Sequence, residues 1–140
     1  EIRPRDWSSD VCSSDLHHLG EGVRAAVAAW GLKTCAKEPK WNSDTVTAIV
    51  VPEGFDAAKV IETAYKRYNL ALGAGLSEVA GKVFRIGHLG DTNDPTIMGA
   101  LAGVEMALEV AGVPHKKGGA QAAMDYLAQV AKSPMKTAAE

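Results

Sequence analysis

Arg85 is the side chain in this sequence best suited to hold a ligand. It lies in Val83-Phe84-Arg85-Ile86, a β-branched and aromatic run that reads as a strand. Side chains alternate faces along a strand, so Phe84 and Ile86 share the core side and Arg85 points the other way. Two residues on, the same face carries Gly87, which has no side chain, and a neighbouring strand candidate ends in Gly73 and Gly75. A guanidinium above a glycine-lined surface has room for a ligand beside it. Its planar fork suits a carboxylate, which it grips through two parallel hydrogen bonds. The plainer alternative is a solvated arginine on an open sheet face, and spacing alone leaves both readings open.

The other candidates carry less. His88 falls on the Phe84 and Ile86 side by alternation and reads as a packed or capping histidine. His17-His18 is too short for a metal tract, and no His, Cys, Asp or Glu set has ligand spacing, so no metal site is expected. Gly73-Ala74-Gly75 lacks the lysine of a phosphate-binding loop. Ser43-Asp44 has neither the base nor the nucleophile elbow of a hydrolase. Ile97, Met98, Leu101 and Met106 read as core rather than as a cofactor box. Cys12 and Cys35 make neither a disulfide framework nor a zinc site and read as reduced thiols of a cytoplasmic protein.

The elements that position Arg85 follow from periodicity and punctuation. Leu19, Val23, Ala26, Val27 and Trp30 recur at helical spacing, and Gly31 is a natural C-cap. Thr45–Val51 is a β-branched run stopped by Pro52, apolar on both faces near its end, as in a central strand. Asp56 caps a helix with Val60, Ile61, Ala64, Tyr65 and Tyr68 on its apolar face, and Phe55 and Val60 have the spacing of a hydrophobic staple. Asn69–Leu72 reads as a short strand, joined to Val83–Ile86 by a long hairpin loop that turns at Gly81-Lys82. A helix opens among residues 91–94 with Pro95 in its first turn and ends at Gly112, before Pro114. The last runs from about Ala120 to Ala131 with Met124, Leu127 and Val130 inward. The pattern predicts an α+β fold, a small, mostly antiparallel sheet with helices on one face. Residues 133–140 are expected to form a frayed tail.

Residues 1–16 differ in kind. Ser8-Ser9-Asp10 is nearly repeated as Ser13-Ser14-Asp15, with no helical or strand period. The stretch Asp6–Asp15 resembles the conceptual translation of a synthetic sequencing adapter, so residues 1–16 read as a non-native N-terminal segment. Setting aside its four acids and two bases from the 17 and 15 of the whole chain leaves thirteen of each. That balance gives no basic excess for nucleic acid. The 140 residues are 46% hydrophobic and carry a net charge of −2, ordinary for one globular domain, and no apolar run approaches membrane-spanning length.

From His17 to about Leu127 the sequence resembles the C-terminal domain of class V (fold type I) aminotransferases, which use pyridoxal phosphate. It is most like the serine–glyoxylate and alanine–glyoxylate members. The likeness is carried by Trp41–Ala48, Val51–Asp56, Tyr68–Leu76, and most densely by Gly81–Asp91 followed by Gly99–Leu108. The resemblance implies an aminotransferase C-terminal domain over residues 17–132. It implies amino acid and 2-oxo acid substrates, with transfer of an amino group from serine or alanine to glyoxylate, and a homodimeric parent. Arg85 occupies the family's Phe-Arg-Ile-Gly position, which holds the substrate α-carboxylate. The family's cofactor lysine, phosphate-binding groups and ring-nitrogen carboxylate belong to a large domain that would precede residue 17. None of the ten lysines here matches that lysine. The expectation is therefore an inactive fragment that has the carboxylate clamp, no catalytic residue and no cofactor-binding residue of its own. The alternative is a stand-alone α+β module that binds a carboxylate without catalysis.

Overall fold

The β-branched run before Pro52 and the run around Arg85 pair side by side, and that pairing organises the rest. A computed structural model describes residues 9–133, with side chains from residue 16 onward. In chain order the elements are α1 (Ser9–Trp30), β1 (Lys33–Thr34), β2 (Val46–Val50), α2 (Ala57–Tyr68), β3 (Gly73–Ala74), β4 (Val83–Gly87), α3 (Asp94–Ala111) and α4 (Gly119–Lys132). Short 3-10 turns occupy Pro39–Trp41 and Ser77–Val79. The four strands form one antiparallel sheet in the order β1-β2-β4-β3, so β2 and β4 are central, as the doubly apolar end of β2 predicts.

Thr47 and Ile49 of β2, with Phe84 and Ile86 of β4, are buried on one sheet face. There they meet Leu19, Val23, Val27 and Trp30 of α1 and Ile97, Leu101, Val104 and Leu108 of α3. The helices cover that face alone. Val46, Ala48 and Val50 of β2, and Arg85 of β4, are only half-buried on the other.

The caps do what the sequence asks of them. The Asp56 carboxylate accepts from the Ala58 N–H, and the Asn93 side chain accepts from the Thr96 N–H. Gly31 and Gly112 take left-handed conformations at the ends of α1 and α3. In each case the next two N–H groups close back on the helix, Gly31 and Leu32 onto Ala28 and Val27, Gly112 and Val113 onto Glu109 and Leu108.

Several expectations need correction. Asn69–Leu72 is not a strand: Asn69 is the C-cap of α2 in the left-handed conformation, which Asn tolerates. The strand is Gly73–Ala74 instead, and Leu70 and Leu72 pack against the core from the connection. Met124 and Val130 face outward, and Ala123 and Leu127 carry the buried stripe of α4. Phe55 remains 40% exposed, so it makes a poor staple. The edge strand Lys33–Thr34 is too short and too polar to announce itself. Helix α1 begins at Ser9, within the segment set aside above, although that segment's composition gives no sign of a helix. The expectations for residues 1–8 and for the tail beyond Ser133 fall outside the described residues.

Candidate functional site

Arg85 sits in the middle of β4 between two small partners, paired with Ala48 of β2 on one side and Gly73 of β3 on the other. Its side chain lies on the face without helices, over the backbone of Gly73. Among the described residues no carboxylate lies within ion-pair distance of it. Its Nε is buried and has no hydrogen-bond acceptor. A buried, unpaired donor on a charged group costs free energy that a folded chain does not leave standing without cause. A carboxylate delivered to this face would meet the guanidinium from its open side.

A groove of about 300 Å³ beside β2 includes Ala48, the residue opposite Arg85, together with Val46, Trp41, Cys35, Ser43 and Arg24. Trp41 is 59% exposed, with the Lys40 ammonium over its ring. Cys35 is a free, exposed thiol. This face is thus small-residued near Arg85 and rimmed by an aromatic ring left largely in solvent.

His88 does not join Arg85. It is fully buried, as alternation predicts, and hydrogen-bonds at both ring nitrogens: Nδ1 donates to the Asp44 carbonyl at 2.9 Å, which leaves Nε2 to accept from the Thr47 hydroxyl, also at 2.9 Å. Burial pushes its pKa below 6.5; the Asp44 carbonyl opposes this and the nearby Arg24 adds to it. His88 is therefore a neutral brace tying the end of β4 to the start of β2. Beside it, Arg24 donates to the Glu21 carboxylate and to the Ser43 carbonyl, and His17 and His18 contact Asp44 and Asp94.

One charged centre escaped the sequence reading. Glu105, within the otherwise apolar α3, accepts from the Gly118 N–H at 2.7 Å, the Ala120 N–H at 2.9 Å and the Trp30 indole N–H at 3.0 Å. Gly118 has no side chain with which to cap α4, so Glu105 supplies the cap from another helix. Burial alone would raise its carboxyl, but the donors of Ala120, Gly118 and Trp30, with His115 nearby, hold it below its ordinary value. A hollow of about 320 Å³ beside it also takes in Tyr68, Met106, Glu109 and His115. Its chemistry is thin: His115 Nδ1 donates to the Val113 carbonyl, and Nε2 faces Glu109 at 3.9 Å. The only sequence signal for Glu105 is an acid on an apolar helix followed by the uncapped Gly118-Gly119.

Comparison with known proteins gives the chain its relatives. No family model matches the chain. Serine–glyoxylate aminotransferase of Methylorubrum extorquens is 68% identical over 110 residues, which are 78% of this chain and 27% of that protein. L-aspartate–glyoxylate aminotransferase of Paracoccus denitrificans is 48% identical over 124 residues, 88% of this chain and 31% of that protein. The crystal structure of pyridoxamine–pyruvate aminotransferase from Mesorhizobium loti superposes with a TM-score of 0.77 at 30% identity, covering 84% of this chain and 30% of that one. The chain is similar to the C-terminal portion of these aminotransferases. It spans less than a third of the length of these relatives.

A pyridoxal phosphate site needs an amine to join the cofactor and a carboxylate for its ring nitrogen. Every lysine among the described residues is exposed. Lys82, next to β4, lies in the turn, where its carbonyl accepts from the Val51 N–H. The described residues therefore do not fit that cofactor. Nor is any helix among them long and apolar enough to cross a membrane.

Proposed function

We propose that this chain is the C-terminal domain of a pyridoxal-phosphate aminotransferase that passes the amino group of serine or alanine to glyoxylate, and that Arg85 binds the substrate α-carboxylate. The observation that carries the reading is the buried Arg85 Nε without an acceptor, on the sheet face that the helices leave open. A carboxylate that meets the guanidinium from the open side gains charge-assisted hydrogen bonds and fixes the carbon that bears the amino group. Cofactor binding is assigned to the remaining part of the enzyme, which the chain does not span. The same reading makes the full enzyme a cytoplasmic homodimer.

The test joins residues 17–140 behind the preceding part of the Methylorubrum relative and measures transamination with glyoxylate. Serine and alanine are the expected donors, and aspartate is the control because one relative is named for it. Arg85→Ala should lower kcat/KM about 100-fold, about 2.7 kcal/mol of transition-state binding, chiefly through KM. An unchanged kcat/KM would remove Arg85 from the site.

The orphaned guanidinium also favours a second reading, a module that binds a carboxylate without catalysis. Titration calorimetry on the chain alone separates the two. The fragment reading expects no heat with serine, alanine or glyoxylate, and saturable heat with any of them would favour the module.

A further inference from the structure

We infer that Gly73 is a positioning residue of the carboxylate grip, and that its missing side chain seats the Nε–Nη2 edge of Arg85 flat on β3. The inference rests on the reading of Arg85 as the carboxylate-binding group. A Cβ placed on Gly73 would stand 3.1 Å from Arg85 Cβ, 3.1 Å from Nε and 3.5 Å from Nη2. A side chain at 73 would therefore press on the guanidinium edge that carries the unpaired donor, and that edge would have to move aside.

Nothing else in the fold asks for glycine here. Gly73 is not among the glycines with positive φ, so its backbone conformation is open to ordinary residues. Glycine within a strand weakens it, having neither a side chain to pack nor restricted backbone freedom. The neighbouring glycines make the contrast. Gly75 is demanded by the hairpin loop, since a Cβ there would meet the Val79 carbonyl oxygen at 2.3 Å. At Gly87 a Cβ would touch only Leu89 Cδ2, at an ordinary 3.8 Å. Of the three, Gly73 alone has Arg85 against its vacant side-chain position. The register explains why: Gly73 is the direct cross-strand partner of Arg85, and on the other flank Ala48 adds only a methyl group. A larger residue at 73 would lift the guanidinium off β3, and small misplacements of a binding group cost disproportionately in a positioned reaction.

The test has two readouts. In the full chain, solvent exchange of the Arg85 Nε–H is followed by NMR. Gly73→Ala should speed it at least tenfold and Gly73→Val further, with Gly99→Ala, on the exposed face of α3, as the glycine-to-alanine control. In the joined enzyme described above, Gly73→Ala should raise KM for the amino acid about fivefold with kcat nearly unchanged, and Gly73→Val more. Exchange unchanged in both Gly73 variants overturns the inference, whether or not the joined enzyme folds. So does an unchanged KM in a joined enzyme where Arg85→Ala raises it, and there the reading of Arg85 survives. If Arg85→Ala itself leaves KM unchanged, the reading of Arg85 is what fails.

Discussion

On the helix side of the sheet, Glu105 accepts three hydrogen bonds from two helices, and on the bare side Arg85 holds a buried Nε that donates to nothing. Both are charged side chains tucked against backbone. Glu105 draws together Trp30, α3 and the start of α4, and every donor it meets would be orphaned without it. Arg85 holds nothing in place that small neighbours do not already hold. A charge whose partners are internal belongs to the architecture. A charge whose partner is missing leaves room for one from outside, the role proposed for Arg85.

The contrast breaks first at Glu105. Glu105→Ala should cost about 3 kcal/mol in urea unfolding, because a charge-assisted cap is lost and the Trp30 indole N–H is stranded. A loss below about 1 kcal/mol would mean that the three contacts are incidental. Acid should sharpen the same side of the comparison. His88, neutral and buried, has a pKa below 6.5, so the unfolded chain binds more protons there as pH falls. Stability from His88 is complete above about pH 6.5 and is lost as pH drops through its lower folded value. Melting temperatures between pH 7 and 5 should fall less steeply for His88→Gln than for the unaltered chain; equal slopes would show that His88 is not held neutral. The Asn93 cap of α3 is a smaller internal contact, and Asn93→Ala should cost about 1 kcal/mol by the same unfolding measurement. Smallest of all, Arg85→Met should raise stability by about 0.5 kcal/mol, keeping the stem and removing the unpaired buried donor. A large destabilisation there would make Arg85 structural and erase the distinction.

Much of this was legible in the residues. Arg85 on the outward face and His88 on the inward one both followed from strand alternation, a rule that needs no tertiary knowledge. The caps at Asp56 and Gly112 carried their own local chemistry, and residues 91–94 held several candidates, of which Asn93 is the cap. What stayed hidden depended on distance along the chain. Glu105 caps a helix that begins fourteen residues later, and no local pattern encodes that. Met124 and Val130 read as inward because α4 is amphipathic in type, but α4 turns Ala123 and Leu127 to the core, with Leu127 against Gly22 of α1. Asn69–Leu72 reads as a strand because an apolar pair after a helix resembles one, and only the left-handed cap at Asn69 tells them apart.

The pairing of α1 with α4 bears on how the molecule is made. Gly22 lets the Leu127 side chain come in close, and Trp30 packs so tightly on Gly119 that a methyl group there would fall within 2.1 Å of its indole nitrogen. The first helix thus finishes its packing on the last. On the ribosome Trp30 emerges long before its seat is synthesised, and its large ring must wait, exposed to chaperones and to neighbouring nascent chains, until the residues around Gly119 have been made.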